Sequence, residues 1–418
     1  SELEMGLGEE HGGIVELPAD APIGAPVVDV MGLDDPVFDL EITPNRGDCL
    51  GVRGIARDLA AAGLGTLKPL VIEAVPGAYE SPIGVHLEFD PADSQACPHF
   101  VGRHIRGLVN RESPDWLKDR LLAVGLRPIS ALVDITNFLT LGYGRPLHAF
   151  DADRVAGDLR VRLAKSGERF EALGGRTYEL DGEMTVICDD HGADALGGIM
   201  GGERTGCTDA TTNVFLESAF FDPVRTAATG RKLNLTSDAR YRFERGIDPA
   251  FQVNGVELAT RLVLELCGGE PSALVIAGGA PDSGREIAFA PERVATLGGI
   301  DVPVAEAERI LTALGFVVGA ADGALAVTVP SWRNDIVGEA CLVEEVVRVF
   351  GYDRVPAVPV RCASALPEPA LSPDQARRAT ARRALAAQGL IEAVTLSFTS
   401  SKHAEMFASV PESLRLVN

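Results

Sequence analysis

Residues 134–151, DITNFLTLGYGRPLHAFD, set Thr136, Asn137, Arg145 and His148 among leucine, phenylalanine, glycine and proline. A buried polar group without a partner costs about 1–3 kcal/mol. These side chains therefore either satisfy one another in a core or line a pocket that a ligand completes. His148 has the chemistry of a general base or a hydrogen-bonding orienter, and nothing local supplies a serine–histidine–acid arrangement; a satisfied core histidine is the plain alternative. In NVFLESAFF, period-two alternation puts Glu217 on the face of Phe215, Ala219 and Phe221. A carboxylate on an apolar face needs a hydrogen-bonding partner, either a nearby arginine or a hydroxyl-bearing ligand. TSDARYRFERG (236–246) starts a helix, with Thr236 or Ser237 as cap, Asp238 against the dipole and Gly246 as stop. That helix start either simply caps itself or receives an anion or a carbonyl.

Three carboxylates, Asp335, Glu344 and Glu345, fall within eleven residues around the start of a helix near Gly338. Such a set suits Mg²⁺, a hard ion that takes oxygen ligands; a solvated acidic face is the alternative. Cys97, His99 and His104 do not make a metal set, because on a strand His104 shares the face of Phe100 and His99 that of Val101. GGIMGGERTG (197–206) lacks the order of a dinucleotide fingerprint and the ending of a P-loop. It reads as a phosphate cradle or, more simply, as a tight turn needing positive φ.

The elements that position these residues come in clusters of strands and helices without βαβ alternation, which argues a multidomain α+β chain. At 418 residues the chain exceeds one hydrophobic core, so roughly two to four domains are expected. In residues 19–75, Asp48 is expected to cap a helix whose Val52, Ile55, Leu59 and Ala62 share one face, ended by Gly63. Residues 66–84 read as a linker. Residues 85–275 form the largest unit, with strands in HFVGRHIRGL and RTYELDGEMTVIC. Its helices lie in SPDWLKDRLLAVG and DPAFQVNGVELATRLVLELCGG. Residues 285–356 read as a small helix–strand–helix module. A proline-rich linker (356–372) leads to an arginine-faced helix and the strand-like EAVTLSF.

Net charge is −22 and pI about 4.7, the wrong balance for a nonspecific nucleic-acid coat. A local basic stretch survives at 225–245, where six basic residues face two acids. Seven cysteines without a C-x-x-C pair suggest neither a disulfide framework nor a zinc ribbon, and point to the cytoplasm. No apolar run reaches the 18 or so residues that span a bilayer. A first residue other than methionine and a last one inside a strand-like stretch lead us to expect a piece of a longer protein.

Six segments, in order, resemble the β subunit of bacterial phenylalanyl-tRNA synthetase: LEITPNRGDCLGVRGIARDLAA, LRPISALVDITNFLTLGYGRPLHAFD, GGIMGG, FLESAFFDP, SDARYRFERGID and VPSWRNDIVGEACLVEEVVRVFGYDRVP. They cover most of the chain from about residue 40 to 356.

The resemblance implies that residues 85–275 are an editing domain of mixed α/β content that hydrolyses tyrosine wrongly attached to tRNA(Phe). Its pocket would be lined by Thr136, Asn137, His148, Glu217, Ser237 and Ala239, with Ser237 standing where relatives can carry threonine. Glu217 is the expected reader of the tyrosine hydroxyl. Residues 1–18 would be the tail of an OB-type tRNA-binding domain and 366–418 the start of a class II synthetase-like domain. Family members hold Mg²⁺ through four acids, shared with the α subunit. Asp335, Glu344 and Glu345 match three of them, and Cys341 replaces the fourth, usually aspartate. A thiol is a poor magnesium ligand. The implied partners are tRNA(Phe) and the α subunit of an α2β2 assembly, which binds ATP and charges the tRNA. Two alternatives are a noncatalytic scaffold binding tRNA and α subunit, and a nucleic-acid-binding regulator built on residues 285–356. The acidic helix at Glu344–Glu345 argues against the second.

Overall fold

The computed structural model describes residue 4 and residues 11–321, 324–359 and 369–416. It divides into two units, Ser1–Pro356 and Ala357–Asn418. Half of the stretch read as an OB-type tail, and the centre of the proline-rich linker, lie outside the described residues.

In the first unit, a single turn at Val27–Val30 aside, the helices are α1 (Val52–Ala61), α2 (Asp115–Ala123), α3 (Ala131–Tyr143), α4 (Pro223–Leu233), α5 (Asp238–Phe243), α6 (Gln252–Leu266), α7 (Glu292–Gly298), α8 (Val304–Ala313) and α9 (Glu339–Phe350). The strands that matter for the site are β1 (Val85–Glu88), β2 (His99–Arg106), β3 (His148–Asp151), β4 (Leu159–Leu163), β5 (Arg169–Glu171), β6 (Thr177–Glu179), β7 (Thr185–Cys188), β8 (Ala193–Leu196), β9 (Met200–Gly201), β10 (Asn213–Phe220), β11 (Glu270–Pro271) and β12 (Val275–Gly278).

Two sheets face each other. One runs β1-β4-β7-β8-β9, parallel only at β1–β4; the other runs β11-β2-β10-β3, with β12 also on β2, all antiparallel. β10 is buried on both faces. Phe215 and Ala219, with Phe221 just beyond, join Phe100, Phe150, Val161 and Ile187 in the core between the sheets. Val214 and Leu216 point the other way, onto Leu132, Ile135 and Leu139 of α3 and Val263 of α6. The alternation read from NVFLESAFF is therefore present, but both of its faces are covered.

Residues 285–356 add a three-stranded antiparallel sheet, β13 (Arg285–Phe289), β15 (Ala324–Val329) and β14 (Val317–Ala321) in that spatial order, covered by α7, α8 and α9. The helices around Ile310 and Val346 match the sequence reading. β13, β14 and α7 were not legible, being short and weakly periodic.

α1 departs from expectation. Its expected inner face is the exposed one, with Val52 at 64% and Leu59 at 48% exposure, while Gly54 and Ala61 are buried. Asp48 does not cap it. The carboxylate instead takes Arg46 at 2.9 Å and Arg57 at 3.3 Å, and Gly51 stands at the N-cap without a side-chain bond.

In the second unit, α10 (Pro373–Ala387) begins with a capping box of Ser372 and Gln375, and α11 (Ser401–Glu405) follows. EAVTLSF is irregular and exposed, without the ladder its alternation anticipates. No described helix is long and apolar enough to cross a membrane.

Candidate functional site

A cavity of about 270 Å³ opens between the two sheets, walled by Pro146, Leu147, Leu173, Ile187, Ala195, Leu196, Met200 and Phe243. Among these apolar side chains sit His148, Glu217, Ser237 and Ala239. Four of the six expected pocket residues thus meet, drawn from β3, β10 and the start of α5.

Glu217 and His148 are directly paired positions on the antiparallel β10–β3 ladder. Their side chains therefore leave the same face of the sheet. Glu217 is 6% exposed, and its Oε2 has no hydrogen-bond partner among the described residues. Burial pushes its carboxyl up to about 8, with Arg145 opposing. His148 packs edge-on against Phe150, ring centroids 4.4 Å apart, and its Nε2 also lacks a partner among the described residues. Burial brings the imidazole down to about 4, so it is neutral at physiological pH.

Ser237, not Thr236, is the cap of α5. Its Oγ accepts from the Arg240 N–H at 3.0 Å and donates to the Ile199 carbonyl at 2.7 Å. With its proton committed, the hydroxyl fixes the 197–202 loop to the helix rather than acting as a nucleophile.

That loop contains the GGIMGG run, whose glycines serve mainly close approach. Gly198 has φ +71, but Gly201 is needed for space: a Cβ there would lie 2.3 Å from Cε1 of His148. The run is a wall of the cavity rather than a phosphate cradle.

Thr136 and Asn137 lie on α3 and do not line the cavity. The Thr136 hydroxyl donates to the Val133 carbonyl at 2.7 Å, inside its own helix. Conversely, sequence reasoning did not single out Leu173, Gly201 or Phe243 as site residues. Arg145 it noted only as a polar residue in an apolar stretch.

Mg²⁺ does not fit Asp335 and the α9 acids Glu344 and Glu345 as they stand. Both oxygens of Asp335 take Arg333, at 2.8 Å each. Glu345 is 2% exposed and takes Arg333 at 2.6 Å and Arg348 at 2.8 Å. Burial opposes ionisation there, yet the two guanidinium groups hold its carboxyl down at about 2. Glu344 is exposed, and the Cys341 thiol reaches only the Asp335 carbonyl, at 3.7 Å. Among the described residues no three His, Cys, Asp or Glu side chains gather as a metal site. The acids belong to an ion-pair network that continues through Arg348–Asp58, 2.7 Å, and Asp58–Arg46, 2.9 Å, into α1 and the turn before it. Among the described residues Cys97, His99 and His104 do not gather as a metal set either; the His104 Nδ1 lies 2.8 Å from the Tyr79 hydroxyl.

Three family models match in tandem: B3/4 domain over residues 96–268, tRNA synthetase B5 domain over 287–352, and phenylalanyl tRNA synthetase beta chain CLM domain over 358–418. The chain is 57% identical over 415 residues to the phenylalanine–tRNA ligase beta subunit of Paramagnetospirillum magneticum, covering 99% of this chain and 52% of that protein. The chain belongs to the phenylalanine–tRNA ligase β-subunit family. The beta subunit of Rhodospirillum rubrum is 55% identical over 421 residues, covering 100% of this chain and 52% of that protein. That of Cereibacter sphaeroides is 52% identical over 419 residues, covering 100% and 51%. The chain spans about half the length of these family relatives. A solved N-terminal fragment of the phenylalanyl-tRNA synthetase beta-subunit from Pyrococcus horikoshii overlays with TM-score 0.38 and 18% identity, covering 74% of this chain and 85% of that one. An overlay that loose carries no residue correspondence.

Proposed function

We propose that the cavity is the editing site of a phenylalanine–tRNA ligase, hydrolysing tyrosyl-tRNA(Phe). The observation that carries this reading is Glu217: a buried carboxyl with one oxygen unpartnered, beside a cavity otherwise walled by apolar side chains. Phenylalanine and tyrosine differ by one hydroxyl, and a pocket shaped for the smaller ring rejects the larger only weakly. A second pocket that hydrogen-bonds the hydroxyl reverses the preference, because a bare ring leaves the carboxyl unpaired.

The reaction breaks the ester bond between the tyrosine carboxyl and the tRNA ribose. Water adds to the carbonyl carbon, the ribose oxygen leaves and takes a proton, and free tyrosine departs. Ser237 is committed to its cap and to Ile199, so water attacks directly and no acyl-serine forms. His148, neutral and with a free Nε2, orients the ester or the water by hydrogen bonding. A base titrating near 4 is too weak to be the main proton acceptor.

In the whole protein, ATP-dependent charging belongs to the α subunit of an α2β2 assembly, and this chain contributes tRNA(Phe) contacts and editing. The scaffold alternative draws on one observation, the absence of Thr136 and Asn137 from the cavity wall. Following tyrosine release from tyrosyl-tRNA(Phe) in the presence of the purified chain separates the two. Release well above the spontaneous rate supports editing; an intact ester in the presence of folded chain supports the scaffold.

A further inference from the structure

Arg145 lies in the loop between α3 and β3, three residues before His148, and is 2% exposed. Its Nε donates to the Ser218 hydroxyl at 3.0 Å and its Nη2 to the Ala219 carbonyl. Ser218 and Ala219 are the two residues that follow Glu217 on β10. Across the guanidinium lies Phe243, a wall of the cavity, with its ring centre 6.0 Å away. Gly255 on α6 makes room for the arginine stem: a Cβ there would come 3.2 Å from its Cγ. The third nitrogen, Nη1, has no partner among the described residues. Among the described residues no carboxylate comes within ion-pair distance.

A buried cation held only by neutral acceptors is unusual, because removing charge from water is costly unless a counter-charge compensates. The groups that feel it are Asp248 from the loop before α6, Glu217 on β10 and Cys97 at the foot of β2. His99 on β2 feels it as well. Burial raises the Cys97 thiol and lowers the His99 and His148 rings, so all three are neutral near pH 7. That leaves Asp248 and Glu217 as the carboxyls in its field.

We propose that Arg145 is a positioning residue of the pocket: it pins the stretch of β10 that carries Glu217 and supplies the positive charge that keeps this carboxyl able to ionise. The proposal rests on the editing reading for its use, but not for its test. Two neutral hydrogen bonds fix where Glu217 stands, and an unpaired charge nearby fixes how easily it loses its proton. The arginine does so without touching the carboxyl, which leaves the oxygens free for a ligand.

The test measures Glu217 ionisation directly. The stability difference between each chain and its Glu217→Gln counterpart is followed from pH 5.5 to 9.5, in the wild-type, Arg145→Met and Arg145→Lys backgrounds. The difference ramps with pH while only the unfolded chain is ionised and levels off above the folded carboxyl's pKa; the pH at which its slope has fallen by half is the midpoint of folded Glu217, and it reports the carboxyl whether or not the chain hydrolyses anything. The wild-type midpoint is expected near 8. Arg145→Met should move it up by about one pH unit or more, as loss of a nearby opposite charge requires. Arg145→Lys should restore it, since the charge remains. Tyrosine release assayed in parallel should show a raised KM in Arg145→Lys, which keeps the charge but loses the forked hold.

An unmoved midpoint in Arg145→Met overturns the electrostatic role. If that variant does not fold, Arg145→Lys decides: a midpoint raised as far as one unit, or an unchanged KM, overturns the corresponding half. A chain that shows the midpoint shifts but hydrolyses no ester refutes the editing reading and leaves the assignment of Arg145 standing.

Discussion

Glu217 and His148 oppose each other across the β10–β3 ladder, and each carries a buried polar atom that has no hydrogen-bond partner among the described residues. Two such orphans on paired positions beside one cavity are the observation on which the proposed site rests, since native cores rarely leave buried polar groups unpartnered.

The pair makes folding stability depend on pH in opposite senses. Glu217, raised to about 8 by burial, binds its proton more tightly when folded, so its contribution is fullest in acid and is lost as pH rises from about 4.5 through 8. His148, lowered to about 4 by burial, binds its proton more weakly when folded, so its contribution is full above about 6.5 and lost as pH falls toward 4. Glu217→Gln should therefore gain on wild type by a few kcal/mol, on the order of 1.4 per pH unit, between pH 5 and 8.5. His148→Gln should lose the acid sensitivity below pH 6.5. Urea midpoints across that range check both signs.

Ser237 closes α5 and ties it to the loop that walls the cavity. Ser237→Ala should cost about 1–2 kcal/mol from the lost cap, while Ser237→Thr should be nearly neutral because the hydroxyl survives. Thermal denaturation of the two variants tells them apart.

Gly201 packs directly against the His148 ring. Gly201→Ala should displace the imidazole and destabilise by about 1–3 kcal/mol. Tyrosine release should fall further than the stability loss explains, and comparing the two at a temperature where the variant is fully folded shows whether it does.

The network around Glu345 is an ion-pair cluster joining the 285–356 module to α1. Glu345→Gln should cost about 3–5 kcal/mol, the penalty of stranding buried arginines. Millimolar Mg²⁺ should leave the wild-type Tm unmoved. A Tm rise with Mg²⁺ that EDTA reverses would show that the acids rearrange to take the ion.

Much of the pocket was legible because strand alternation is a local property. Glu217 among Phe215, Ala219 and Phe221 can only face a core or a cavity wall, and Ser237 reads as a cap from its neighbours alone. What was missed depends on distant partners. Asp48 resembles a helix cap until Arg46 and Arg57 compete for it, and the apolar stripe of α1 looks buried until the ion pairs turn Gly54 and Ala61 inward. The α9 acids look like a metal set until Arg333 and Arg348 meet them. Thr136 and Asn137 share a chain segment with His148, but α3 carries them to the layer behind the sheet. Arg145 had no local signal beyond being a charge in an apolar stretch.

The most direct test of the central claim is the ratio of hydrolysis rates for tyrosyl-tRNA(Phe) and phenylalanyl-tRNA(Phe), measured for the chain and for Glu217→Ala. A carboxyl that reads the hydroxyl predicts a wild-type preference for the tyrosyl ester of about 100-fold or more, collapsing toward unity in the variant. A preference that survives the substitution would contradict the assignment of Glu217.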